Sequence, residues 1–210
     1  MKGSSAKENI LKKIRQALAH PVPVPFPQSE GNSSVFQPSL TELEFEFAEN
    51  FTSLQGKFSF CIDGNELAEQ LKLLIEHRKL NKLFCKEPSL REKLVNCGIQ
   101  FSTVNIADCD ASITTCELLI ARTGSLLLSS NTESGRTTSI YAPVHICIAY
   151  TSQLVYDIKE GLVLLKEKYA NALPSMITLA TGPSRTADIE KTLVVGVHGP
   201  AEVFVFLVEG

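Results

Sequence analysis

Apolar positions near the start of the chain recur at helical spacing. Ile10, Leu11, Ile14, Ala17 and Leu18 share one side of residues 9–18, with Lys12, Lys13, Arg15 and Gln16 opposite. This pattern predicts an amphipathic helix. Prolines at 21, 23, 25 and 27 follow within a segment spanning 21–39; they cannot continue a helix and favour extended geometry. From residue 40 the chain alternates. Helices are predicted at 40–54, 66–79 and 89–96, with Asp63 and Asn65 as caps for the second and Gly98 as the stop of the third. Strands are predicted between and after them at 57–62, 82–85 and 99–104. Such alternation argues for a parallel sheet flanked by helices.

Beyond residue 111 the apolar runs shorten. Strands are predicted at 118–121, 125–129, 138–141 and 145–150, with the polar stretch 130–136 as the turn of a hairpin. Thr151 and Ser152 are cap candidates for a long helix through residue 169, whose inner stripe takes in Leu154, Ile158, Leu162 and Leu165. The near-continuous apolar run 176–180 predicts a strand buried on both faces. A helical turn is expected to start near Ala187, and residues 203–208 to form a last strand. The expected organisation is an N-terminal helical arm (1–20), a proline-rich linker (21–39) and a single α/β domain (40–210). No internal repeat is visible. An arm on a stiff leash either docks on a neighbouring subunit, giving a homo-oligomer, or on another protein, or stays a free terminus.

Composition narrows the function classes. The 210 residues, 44% of them hydrophobic, suffice for one sizeable core. Basic and acidic residues number 20 and 23, mix along the chain and leave a net charge of −3, so nucleic acid is not an expected partner. No stretch approaches the ~20 apolar residues of a membrane span. The opening residues carry charges without an apolar run, so no signal peptide is expected and a cytoplasmic location follows. The six cysteines, at 61, 85, 97, 109, 116 and 147, include no two separated by only two residues. That spacing predicts buried free thiols and no metal site.

Two segments could carry chemistry. In ITLATGPSRTADIEKTLVVGVHGP (177–200) a strand runs into Thr181, Gly182, Pro183, Ser184, Arg185 and Thr186. Exposed backbone N–H groups at a helix start, with the hydroxyls of Ser184 and Thr186 and the Arg185 guanidinium, suit a carboxylate or phosphate. The same residues also suit plain helix capping by Thr186, with Asp188 answering the helix dipole. Asp188 and Glu190 would face different directions on a helix, so they make a poor acid/base pair. His198, among Gly196, Gly199 and Pro200, is either a proton carrier near neutral pH or a structural turn residue. The second segment is ARTGSLLL (121–128) with SGRTTSIYAPVHI (134–146). Here Thr123, Gly124 and Ser125 form a polar turn, and Arg136 sits in a loop beside Gly135. Glu133 could act as nucleophile or base if its loop folds into a cleft. His145, between Val144 and Ile146, reads as a hydrogen-bonded core histidine. Neither a dinucleotide fingerprint, nor a lysine-type phosphate loop, nor a serine elbow is present.

TGPSRTADIE with KTLVVGVHGP resembles the carboxyl-terminal signature of the lactate-utilisation protein C family, also called the LUD-domain family. RTGSLLL, SGRTTS and APVHI resemble its middle motifs, and ILKKIRQAL its opening helix. The resemblance is dense after residue 121. It implies a fold like that of phosphosugar isomerases and CoA transferases: α/β, with a Rossmann-like, mainly parallel sheet and an antiparallel addition. It also implies a part in oxidising L-lactate to pyruvate with partner proteins that carry the iron–sulfur clusters, this chain carrying none. The Arg185 loop, with Thr123, Gly124, Ser125, Arg136, Thr181, Gly182, Ser184, Thr186 and Asp188, then becomes the expected anion site. Arg122 departs from the acidic residue usual before the turn, and Ser125 from the usual threonine. A stand-alone enzyme acting on a phosphosugar or acyl-CoA-type substrate, and a non-catalytic scaffold docking through the arm, are the competing expectations.

Overall fold

The computed structural model describes residues 6–19, 39, 41–170, 172–189 and 192–210, with the backbone alone described at 6, 7, 187–189, 192 and 193. The chain divides into two units, Met1–Gln37 and Pro38–Gly210. In the first, helix α1 spans Ala6–Ala19 and bears the predicted amphipathic stripe. Apart from Ser39, the proline-rich linker expected at 21–39 lies outside the described residues.

In the second unit, α2 (Leu43–Ser53), β1 (Lys57–Cys61), α3 (Gly64–Arg78), β2 (Leu83–Phe84) and α4 (Pro88–Asn96) follow the predicted alternation. Asp63 caps α3 as expected, its Oδ1 accepting from the N–H groups of Asn65 and Glu66 at 2.8 and 2.9 Å. Then come β3 (Ala111–Thr114), β4 (Leu118–Ile120), β5 (Ser125–Ser129), α5 (Thr138–Tyr141), β6 (Val144–Tyr150), β7 (Leu154–Val155) and α6 (Ile158–Tyr169). β8 (Ile177–Ala180), β9 (Arg185–Ile189), β10 (Thr192–Val195) and β11 (Glu202–Val208) complete the order. Five strands form a wholly parallel sheet, β1-β11-β6-β3-β2, and four form a mixed sheet, β7-β4-β5-β8, whose β4–β5 and β5–β8 pairs are antiparallel. This is the α/β arrangement expected, a parallel sheet with an antiparallel addition. Among the described residues no helix is long and apolar enough to cross a membrane.

The central strands β6 and β11 are apolar almost throughout because both faces are covered. Val144, Ile146 and Ile148 with Phe204, Phe206 and Val208 point toward α3 and α4, meeting Leu67, Leu71, Leu90 and Leu94. Cys147, Ala149, Val203, Val205 and Leu207 point the other way, toward Leu119 and Leu126 of the mixed sheet and Phe47 and Phe51 of α2. On the far side of the mixed sheet, Ile120 and Leu127 meet Leu165 of α6. The period of two along each strand therefore assigns His145, in phase with Cys147, to the inter-sheet side.

Five local expectations are corrected. Residues 99–104 are not a strand: Ile99 is buried and Ser102 N–H reaches Leu83 O, but β3 takes the place beside β2, pairing Ala111 with Leu83. Residues 138–141 form a helical turn, not the second arm of a hairpin, because β4 and β8 already flank β5. The helix expected from Thr151 starts at Ile158. Thr151 Oγ1 is bonded to Gly210, while Asp157 and Glu160 form a reciprocal capping box, the stronger start signal. Of the predicted stripe, Leu165 is buried but Leu162 faces outward. β8 is an edge strand and not buried on both faces, with Ile177 and Leu179 36% and 40% exposed. A short apolar run does not reveal how many of its faces are covered.

The fifth correction bears on function. No helix starts near Ala187: Arg185–Ile189 pairs antiparallel with Thr192–Val195 as a two-stranded ribbon. The β-branched residues Thr186, Ile189, Thr192, Val194 and Val195 favour that extended form.

Glu117 ties α6 to the mixed sheet. Its carboxylate accepts from Lys168 Nζ at 2.7 Å, Tyr169 OH at 2.6 Å and Ser129 Oγ. Burial works to raise the carboxyl pKa, yet these hydrogen bonds together hold it below its ordinary value. Replacing Glu117 by Ala strands the Tyr169 and Ser129 hydroxyls and is expected to cost about 2 kcal/mol of unfolding free energy. Lys168→Ala, at a lysine more than half exposed, should cost less than about 1 kcal/mol. Urea titrations of the two variants measure the contrast; equal losses would contradict it.

Candidate functional site

The two segments singled out in the sequence meet at one end of the mixed sheet. After β4 the chain makes a 3-10 turn, Ala121–Thr123, and reverses at Gly124, which takes φ +57°. Helix α2 clamps that turn, Asn50 Nδ2 donating to Ala121 O at 2.9 Å and Arg122 O at 3.2 Å. β5 and β8 run antiparallel, so the start of one lies beside the end of the other. A chain of hydroxyls therefore joins the segments: Thr123 Oγ1 to Ser125 Oγ at 2.7 Å, and Ser125 Oγ to Thr181 Oγ1 at 2.8 Å.

Beyond Thr181 the loop crosses Gly182, whose φ of +75° lets the backbone pass over Leu54; a Cβ there would meet Leu54 O at 2.6 Å. Ser184 N–H donates to Pro200 O and Gly196 N–H to Ser184 O, each at 2.9 Å. The TGPS and GVHGP halves of the signature are thereby laced together at the root of the β9–β10 ribbon.

A hollow of about 320 Å³ opens beside this lacing. Ser139, Thr178, Thr181 and Ser184 and the histidines His145 and His198 line it, together with Gly182, Gly199, Leu128, Ile140 and Val203. Among the described residues, no Asp or Glu lines it. His145 and Val203 are each the second residue of their strand, so the hollow sits at the amino ends of β6 and β11. That differs from the carboxyl-end placement expected of open α/β sheets.

His145 is the core histidine expected, 1% exposed, with Nε2 2.9 Å from Thr114 Oγ1. Burial pushes its pKa down to about 4, so the ring is neutral at neutral pH and offers a hydrogen bond without a charge. Its place at the hollow is something sequence reasoning missed, along with Ser139 and Thr178. The alternation that assigns it to the inter-sheet side does not tell that the sheets part at its level.

Other predicted site residues fall outside the hollow's lining. Arg185 is exposed and its Nη2 donates to Leu54 O, the carbonyl of the residue closing α2; its charge serves a helix carboxyl end. Arg136 is exposed and donates to Ser175 Oγ. Glu133 is exposed on the loop after β5. Thr123, Gly124 and Ser125 stand behind Thr181 and support it, and Thr186 lies on β9. Asp188 is also on β9, its side chain outside the description, and Glu190 is outside the described residues. Arg122, the departure from the acidic residue, donates from Nε to Asp157 Oδ2 at 2.8 Å and so steadies the cap of α6.

Five cysteines are buried and Cys97 is half-buried, all as free thiols. Burial pushes the thiols of Cys61 and Cys85 up to about 11. Cys147 is also held far up, first by its hydrogen bond with Cys116 and then by burial. Thiols so held are poor nucleophiles and poor ligands. Among the described residues no group of three His, Cys, Asp or Glu side chains is placed to hold a metal ion.

Comparison with known proteins agrees with this architecture. An uncharacterized protein of Neisseria meningitidis is 28% identical over 97% of this chain and 94% of its own. Lactate utilization protein C of Bacillus licheniformis is 37% identical over 57% of this chain, and that of Oceanobacillus iheyensis 31% over 69%. The matched parts are about half of those two relatives, 45% and 55% of their lengths. In the crystal structure of a DUF162 family protein from Deinococcus radiodurans, the fold recurs with a TM-score of 0.59 over 79% of this chain and 96% of that one, at 18% identity. The LUD domain model matches residues 90–208, which contain both polar segments and the hollow they frame. The chain belongs to the LUD domain family, that of the lactate utilization C proteins.

Proposed function

We propose that this protein serves lactate utilisation by holding a small organic anion, a carboxylate of the lactate or pyruvate class, in the hollow beside Thr181, Ser184 and His198. One observation carries the reading: four hydroxyl-bearing residues and two histidines line a space of about 320 Å³, with no Asp or Glu in its lining among the described residues. Hydroxyl and backbone donors stabilise a carboxylate without a guanidinium when they are held in place beforehand, and the lacing of the two signature halves does that. The neutral His145 supplies a further polar contact and suits the hydroxyl or keto oxygen of a 2-substituted acid. Oxidation of a hydroxy acid needs an electron acceptor. Iron–sulfur partner proteins are proposed for that step, since the cysteines of this chain lack paired ligand spacing and most are deeply buried.

Thermal unfolding with L-lactate, pyruvate and inorganic phosphate tests the binding. A ligand at a hundred times its dissociation constant adds about 2.7 kcal/mol of stability, and the melting point of the wild type should rise accordingly. The double variant Thr181→Val, His198→Ala should lose that gain, whereas Arg185→Ala should keep it. No response to any of the three anions, or an equal response in the double variant, would remove the hollow from the proposal. Unimpaired growth on lactate after deletion of the gene would remove the pathway.

A further inference from the structure

A larger hollow, about 570 Å³, lies where α2 meets β1, and Phe45, Phe58 and Phe60 line it together with Glu42, Glu44 and Glu209. Among the described residues no Lys or Arg lines it. Phe45 is 69% exposed, and Phe60 and the neighbouring Ile62 are exposed as well. Glu42 and Glu44 open α2, where the helix dipole favours acids, but Glu209 follows β11 and has no such cause. Lys57 stands on the opposite face of β1 from Phe58 and Phe60 and is paired with Glu202.

The strand beside this hollow is an open edge. β1 ends the parallel sheet, pairing with β11 and, among the described residues, with no other strand. Its register fixes which backbone groups are spare. Glu209 N–H donates to Cys61 O at 2.9 Å, so Cys61, Ser59 and Lys57 direct their backbone groups toward β11, and Phe58 and Phe60 direct theirs outward. The outward Phe60 carbonyl meets Gln70 Nε2 at 3.4 Å, a long contact that a strand N–H would displace. Such an edge is a template for one more strand.

We propose that β1 and the hollow together receive an extended segment of a partner protein, apolar at alternate positions and flanked by Lys or Arg. The segment adds to the sheet through the spare groups of Phe58 and Phe60. Its apolar side chains lie on the α2 side, where Phe58 meets Phe47, and cover the exposed phenylalanines. Its bases answer the three glutamates. Charge decides against a second copy of this chain: pairing β1 with β1 would bring a second set of the same glutamates to one seam. The proposal is independent of the lactate reading.

The probe is a synthetic peptide of alternating valine and threonine with two lysines at each end; its twin carries glutamates in place of the lysines. Titrated by fluorescence anisotropy against the full chain, the basic peptide should bind, and more weakly as salt is raised. The triple variant Glu42→Lys, Glu44→Lys, Glu209→Lys should weaken that binding about tenfold or more and should take up the acidic twin instead, which no folding defect could mimic. Amide exchange followed by NMR should slow at Phe58 and Phe60 in the complex and stay unchanged at Ser59, already bonded to β11. No binding of the basic peptide, equal binding of both peptides, or unchanged exchange at Phe58 and Phe60 would overturn the proposal. So would a wild type that sedimentation equilibrium shows to be a dimer and that Phe60→Lys splits, since a second copy would then hold the edge.

Discussion

Gly124→Ala should lower the unfolding free energy by about 4 kcal/mol, measured as a fall in the urea midpoint at unchanged slope. Two penalties add. The residue sits at φ +57°, where an L side chain costs about 1–2 kcal/mol. A Cβ there would also meet Phe51 N at 2.4 Å and Asn50 C and Phe51 Cα at 2.7 Å. Those are backbone atoms of a helix whose Phe47 and Phe51 are wholly buried, so α2 must shift rather than a side chain swing aside. The damage should also spread to the site. The same turn begins the hydroxyl chain from Thr123 through Ser125 to Thr181, so the variant should lose anion binding even where it remains folded. A variant as stable as the wild type would mean that α2 is not seated on this turn.

The second large effect is a pH dependence centred on His145. Its folded pKa is about 4, against an ordinary value of 6.5. Between those limits the unfolded chain takes up a proton that the folded chain refuses, so stability is complete above about pH 6.5 and falls as the pH drops toward 4. The whole window is worth about 3 kcal/mol, and the part between pH 7 and 5 about 2 kcal/mol. His145→Gln keeps a polar side chain opposite Thr114 and cannot titrate. It should therefore flatten that part of the stability profile, whatever it does to stability at pH 7. The upper half of the window is the informative part, because the carboxylates held below their ordinary values, Asp63, Glu117 and Asp157, lose their contributions at lower pH. A profile equally steep in the variant would show that the imidazole is not the group responsible.

The neutrality of His145 also shapes the proposed binding. If the anion is held by hydroxyls, backbone and an uncharged ring, affinity should not require a protonated histidine at that position. Salt dependence should be mild, because among the described residues no Arg or Lys lines the hollow. The Arg185 guanidinium, which the motif alone makes the natural anion clamp, instead closes the carboxyl end of α2 at Leu54.

What could be read from the chain alone is what depends on near neighbours. The helical period of α1 and α3, the Asp63 cap, the strands at 145–150 and 203–208 and the wide spacing of the cysteines all follow from residues a few positions apart. The TGS and TGPS motifs are legible for the same reason: each is a local bend built from glycine and hydroxyl residues. What the tertiary structure decided is which partner each segment found. The run 176–180 is as apolar as a buried strand, but pairing with β5 alone made it an edge. Residues 185–189 could have opened a helix until Thr192–Val195 paired with them as a ribbon. That one pairing removes the helix N-terminus from the site and replaces its free N–H groups with a loop laced to Pro200. His145 looks like any core histidine until two sheets part beside it. Hydrogen-bond partners far apart in the chain are chosen by which surfaces close the core with least polar loss, and that choice is made by the assembled fold rather than written at any single position.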